Sequence, residues 1–119
     1  IAVSARSAYE LWLSRNIKHA QLVLVEGLAA SYDIFEKDKL EALAGLRPRL
    51  ISDVERMPGA RILEQKFSAV QQAVGTPKSR PEAGIKFLLE FVEELKANST
   101  IARFISQHDV RGLSVAPPA

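Results

Sequence analysis

The first sixteen residues, IAVSARSAYELWLSRN, constrain the fold more than any other stretch of the chain. Residues 1–4 predict a strand, Ala5 and Arg6 a tight turn, and a helix begins at Ser7. Ser7 and Glu10 have the spacing of a capping box, in which the hydroxyl accepts a first-turn N–H and the carboxylate reaches back to the cap. Such a turn directs several N–H groups and the positive end of the helix dipole to one point. The stretch therefore predicts an α/β protein with a place that favours an anion.

Length and composition limit the class of protein. A chain of 119 residues suffices for one ordinary domain, or for one domain and part of another. The net charge is only +2, and the 16 basic residues are scattered along the chain. Nucleic acid is therefore not expected as a partner. Cysteine is absent, which excludes disulfides and thiolate metal sites, and no glycine-rich phosphate loop is present; neither a metal nor a cofactor is expected. The chain starts within a predicted strand and without methionine, which suggests a piece of a longer protein.

Strands and helices alternate through the first half. Further strands are predicted at 22–25, 40–46 and 60–65, with helices at 29–39 and from Pro48 to Met57. The continuous apolar run at 22–25 is typical of a strand buried on both faces. This rhythm predicts an open, mainly parallel sheet with flanking helices.

The second half has a different pattern. Residues 67–75 read as a long extended segment, and two prolines then mark a loop. A strong amphipathic helix is predicted at 81–97, and Asn98, Ser99 and Thr100 break it and cap a second helix. The tail from Val110 cannot be helical.

Ligands of open α/β sheets bind beyond the carboxyl ends of the strands. Applied here, this rule brings Arg6, Arg47 and Lys66 to one edge, together with the carboxylate of Glu26 and at least two helix N-termini. The edge therefore favours a carboxylate or a phosphate. Catalytic patterns are weak: His19 and His108 have no partner at a useful spacing and are expected to be solvated, and Trp12 is expected in the core.

The order of these pieces resembles the latter part of the bacterial extracellular solute-binding proteins of family 3, the amino-acid-type receptors of ABC importers. IAVSARSAYELWL is similar to the opening of that family's second lobe, and LEALAGLRPRL to its third-strand segment. QQAVGTPKSRPEAGIKFLLEFVEELKANSTIARFISQHDV resembles the return into the first lobe, and GLSVAPPA a common chain end.

The resemblance implies a type II periplasmic-binding-protein fold of two α/β lobes that clamp a solute between them. Residues 1–68 would be the second lobe, and 69–119 the hinge strand and C-terminal part of the first lobe, whose N-terminal half is absent. The helix at 81–97 would then lack its usual cover. We therefore expect the chain to dimerise or swap through a stripe that comprises Ile85, Phe87, Leu88 and Phe91.

The resemblance also implies the site. Ser7 matches the turn hydroxyl that holds the ligand's carboxylate, whereas Arg6 replaces the glycine before it. Leu46 stands where an acidic residue commonly pairs with an α-ammonium group, so an ordinary amino-acid ligand is in doubt. The candidate ligand-binding residues are Arg6, Ser7, Ala8 and Arg47.

The function that this resemblance implies is capture of a small polar solute, anionic or amino-acid-like, for an ABC transporter permease in the periplasm, without catalysis. Two alternatives stay open. One is an enzyme similar to cyclohexadienyl dehydratases, although Glu26 is the one carboxylate at the predicted edge. The other is a periplasmic sensory input domain of a membrane receptor.

Overall fold

The computed structural model describes all 119 residues and divides into two compact units, Ile1–Val70 and Gln71–Ala119. The first unit is α/β, as the alternating pattern predicts. Its elements are β1 (Ala2–Ser4), α1 (Ala8–Asn16), β2 (Val23–Val25), α2 (Leu28–Lys37), β3 (Leu43–Ala44) and α3 (Arg47–Glu55). The second unit contains α4 (Glu82–Ala97) and α5 (Thr100–Gln107).

The three strands form one parallel sheet in the order β2-β1-β3. Val3 of β1 stands in register with Leu24 on one side and with Ala44 on the other. The connection from β1 to β2 runs in one direction across the sheet, and the connection from β2 to β3 runs in the other. Because connections between parallel strands are right-handed, the two connecting helices, α1 and α2, lie on opposite faces of the sheet. All three residues of β1 are buried as a result.

A small core forms where α1 packs on the central strand. Val3, Tyr9, Leu13 and Ala44 are buried together, and Trp12 and Leu46 are among the half-buried side chains that pack against them. The predicted burial of 22–25 on both faces is wrong, because Leu24 is 51% exposed. β2 is an edge strand, so Leu24, although in register with the buried Val3, stays partly uncovered.

The predicted fourth strand at 60–65 is absent, and the structure has no regular element between α3 and α4. Side-chain contacts hold this segment instead. The Arg47 guanidinium donates to the backbone carbonyls of Leu63 and Glu64 at 3.1 and 2.8 Å, and Phe67 packs on Trp12 with ring centroids 5.1 Å apart. These carbonyls bond to a side chain rather than to a neighbouring strand. Residues 67–75 are likewise exposed and form no strand in this structure.

The two helices of the second unit lie where the sequence predicts them. α4 begins after Pro81, and Ser99 adopts a left-handed conformation (φ 64°) in the two-residue link to α5. Neither helix contains a buried residue. No helix of the chain combines the length and the apolarity that a membrane crossing requires.

Candidate functional site

The site follows from the strand order. Because β2 and β3 lie on opposite sides of β1, the strand order reverses at β1. In open α/β sheets the binding crevice lies at such a reversal, which here is between the carboxyl ends of β1 and β3. α1 follows β1 and α3 follows β3, so both helices begin at this end of the sheet. The first-turn N–H groups of a helix have no partner within the helix and carry its positive dipole end. The crevice therefore combines two electropositive helix ends.

Ser7 caps the first of these helices. Its Oγ accepts a hydrogen bond from the Glu10 N–H at 3.1 Å and donates its proton to the Ser4 carbonyl at 2.7 Å. The hydroxyl thus ties the end of β1 to the first turn of α1. The Glu10 carboxylate accepts from Ser14 Oγ at 2.7 Å rather than reaching back to the cap, so only half of the predicted capping box forms.

The hydroxyl group of Ser7 has protein partners for its proton and for one lone pair. A hydroxyl has one proton, and here that proton is donated to a carbonyl oxygen. The groups left to meet an anion are the N–H donors of Ala8 and Tyr9, at the first two positions of α1. Ala8 is exposed, and therefore its N–H is the more accessible of the two.

Arg6 lies in the turn at the mouth of the crevice. Its backbone is left-handed (φ 58°), a conformation that suits glycine, the residue that Arg6 replaces in the resemblance. Its Nη2 lies 2.5 Å from Oε2 of Glu26, and both side chains are largely exposed, at 81% and 71%. Glu26 directly follows β2, so this ion pair joins the ends of neighbouring strands. A guanidinium has five N–H donors, and Arg6 retains donors beyond those facing Glu26.

Arg47 is the first residue of α3 rather than a loop residue. One of its nitrogens, Nη2, makes both bonds to the carbonyls of Leu63 and Glu64. The residue is half-buried, and these two bonds hold its guanidinium against the segment that follows α3. Arg47 therefore fixes that segment, and its place at the start of α3 puts its backbone beyond the end of β3.

Other predicted site groups fall elsewhere. The prediction that Lys66 lies at this edge depends on the fourth strand. Because that strand does not form, Lys66 is an exposed residue of an irregular segment. Leu46 caps α3 without a side-chain hydrogen bond and packs on the core. His19 and His108 are both exposed. No group of three or more His, Cys, Asp or Glu side chains is placed to hold a metal ion.

The sequence reading missed one buried charge. Asp53 on α3 has a side chain only 6% exposed, and Arg49 Nε donates to its Oδ1 at 2.9 Å. Their spacing of four residues on a helix was the available signal. Both residues line a cavity of about 10 Å³ beneath α2 and α3, which is room for a single water molecule. This pair therefore belongs to the packing of α3 and not to a solute pocket.

Comparison with known proteins gives no relative: no protein-family model, curated protein or solved structure matches this chain.

Proposed function

We propose that the first unit binds a small anionic solute, a carboxylate or a phosphate, in the crevice between the ends of β1 and β3. The observation that carries the proposal is the convergence of α1 and α3, which begin at Ala8 and Arg47 on either side of the reversal in strand order. An anion gains from first-turn N–H donors and from both dipoles.

The charges at the crevice favour the same ligand class. Arg6 and Arg47 contribute two cations, and Glu26 offsets only one of them through its pair with Arg6. In this arrangement the N–H groups of Ala8 and Tyr9 receive the anion. Ser7 acts as a positioning residue, because it fixes the first turn of α1 through its bonds to Ser4 and Glu10.

In the wider proposal the chain is part of a solute-binding receptor of family 3, exported to the periplasm, that delivers its solute to an ABC transporter permease. Residues 1–68 are assigned to the second lobe, and residues 69–119 to the C-terminal part of the first lobe. The resemblance of the sequence and the α/β class of the first unit support this assignment. The role is capture without catalysis.

The test is calorimetric titration of the chain with inorganic phosphate, succinate, L-glutamate and L-lysine. We expect heat from the anions, weaker binding of L-glutamate because Leu46 replaces an acidic partner for the α-ammonium group, and none from L-lysine. Ser7→Asp retains a cap acceptor but adds a negative charge at the crevice, so it abolishes binding. Ser106→Asp adds the same charge in the second unit and serves as the matched control. Equal heats for wild type and Ser7→Asp would reject the site.

A further inference from the structure

The chain that follows α3 contacts both helices that begin at the proposed site. Arg47, the first residue of α3, donates from Nη2 to the backbone carbonyls of Leu63 and Glu64 at 3.1 and 2.8 Å. Further along, Phe67 packs on Trp12 of α1, with ring centroids 5.1 Å apart. This strap, from Leu63 to Phe67, therefore joins the start of α3 to α1.

The strap is exposed along its whole length and contains no helix or strand. Leu63 is 65% exposed, and Phe67 is 41% exposed. A segment with so little burial and no backbone ladder opens at a low cost in free energy compared with a core strand or helix. The strap can therefore leave α1 and α3 while the sheet stays folded.

The strap carbonyls occupy one particular nitrogen of Arg47. Nη2 carries two protons, and its bonds to Leu63 and Glu64 take up both of them. A guanidinium grips a carboxylate or a phosphate through two parallel N–H bonds. Such a pair of donors is either Nη1 with Nη2 or Nε with Nη2, so both arrangements need Nη2. While the strap is closed, Arg47 cannot grip an oxyanion in this way.

We propose that the strap regulates the anion site: it is closed on Arg47 in the absence of ligand, and an anion in the crevice opens it. This inference rests on the proposed function. A bidentate bond to an anion is stronger than bonds to two neutral carbonyls, so the ligand draws Nη2 away from the strap, and Phe67 then leaves Trp12. Because strap opening and anion binding are linked, a change that loosens the strap must also tighten binding.

Titration of the chain with inorganic phosphate, followed by calorimetry and by Trp12 fluorescence, tests the proposal. Trp12 is the one tryptophan of the chain, and it loses the cover of Phe67 when the strap opens. We therefore expect its emission to move to longer wavelength with the same midpoint as the heat. Phe67→Ala should bind phosphate about threefold more tightly, because a larger fraction of the chain is open, and should show little emission change. Phe87→Ala makes the same substitution at an exposed phenylalanine of the second unit and should behave as the wild type does.

The amide shift of Ala8 reports on the anion site independently of the strap. If phosphate gives heat and moves the Ala8 amide while Trp12 emission stays constant, the strap proposal is wrong and the anion site stands. Equal or weaker binding by Phe67→Ala, with wild-type circular dichroism, also overturns the strap. The wild-type emission decides the question even if Phe67→Ala does not fold. Absence of both heat and an Ala8 shift overturns the proposed function and the strap with it.

Discussion

Arg6 and Glu26 form an ion pair that joins the carboxyl ends of β1 and β2, with 2.5 Å between Nη2 and Oε2. Both side chains are mostly exposed, so water screens the pair and it contributes little to stability. The pair matters instead for the charge that Arg6 presents at the proposed site. In the proposed site Glu26 offsets the charge of Arg6, so the second cation, Arg47, is the one without a carboxylate partner.

Arg6→Gly is expected to stabilise the first unit. A left-handed backbone costs a non-glycine residue about 1–2 kcal/mol, while the exposed ion pair is worth about 0–1 kcal/mol and glycine adds unfolded-state entropy. We expect a net gain of about 0.5 kcal/mol in the free energy of unfolding, measured by urea titration with Trp12 fluorescence. Lys39→Gly is the matched control, because Lys39 also has a positive φ (49°) but no such ion pair. A loss of stability in both variants would refute this account of the turn.

Ser7→Ala is expected to destabilise the first unit by about 1 kcal/mol, because it removes the cap of α1 and its bond to the Ser4 carbonyl. The same urea titration measures the loss. Ser14→Ala, which removes a side-chain bond from the exposed side of the same helix, should cost less than half as much. Equal losses of unfolding free energy in the two variants would contradict a specific contribution of the Ser7 cap.

Removing either partner of the Arg49–Asp53 ion pair should destabilise the first unit, but by different amounts. Arg49→Ala leaves the nearly buried Asp53 carboxylate without its partner and should cost about 2–3 kcal/mol. Asp53→Ala should cost less, about 1–2 kcal/mol, because the Arg49 side chain is 37% exposed and can turn to water. Unfolding followed by Trp12 fluorescence measures both. Glu26→Gln, which breaks an exposed pair, is the control and should change stability by less than about 0.5 kcal/mol. The reverse order of the two losses would contradict the burial of Asp53.

The C-terminal tail has an acid-sensitive attachment to α4. Lys96 Nζ donates to Glu93 Oε1 at 2.5 Å and to the Pro117 carbonyl at 2.8 Å, and the Ala119 N–H donates to Glu93 Oε2. The hydrogen bond from Lys96 holds the pKa of Glu93 below its ordinary value of 4.5. A lowered folded-state pKa contributes stability above pH 4.5, and that contribution is lost as pH falls through the folded-state pKa.

The corresponding measurement is an NMR titration of the Glu93 side-chain carboxyl carbon between pH 7 and pH 2. We expect a midpoint below 4.5, and Lys96→Met should move that midpoint towards 4.5. Glu94→Gln changes a neighbouring carboxylate and should leave the Glu93 midpoint unaltered. A midpoint at or above 4.5 would contradict the Lys96 bond.

Local signals in the sequence predicted most of the fold. The serine before α1, the proline in the first turn of α3 and the polar break before α5 each mark a helix end, and all three helices lie where those residues indicate. The strands were harder to predict. Residues 60–65 have a strand-like composition, but a strand forms only where the segment can reach a free edge of the sheet. Here two backbone carbonyls of the segment, those of Leu63 and Glu64, accept hydrogen bonds from Arg47 instead.

The sequence predicted which residues lie near the candidate site, but not the hydrogen bonds that their side chains make. The rule that ligands bind beyond strand ends brought Arg6, Ser7 and Arg47 to one edge, and β1 and β3 do end there. The hydrogen bonds of these side chains could not be predicted, because each partner is a backbone carbonyl or a carboxylate whose position depends on the completed fold. Lys66 was misplaced for the same reason as the fourth strand.

The proposed function depends on binding of an anion at the start of α1, between the ends of β1 and β3. The most direct test is titration of the ¹⁵N-labelled chain with inorganic phosphate at constant pH and ionic strength, followed by amide chemical shifts. We expect saturable shifts of the Ala8 and Tyr9 amides, smaller shifts at Arg47 and its neighbours, and loss of all of them in Ser7→Asp. Amides of Ala8 and Tyr9 that do not move, or that move no more than those of α5, would contradict it.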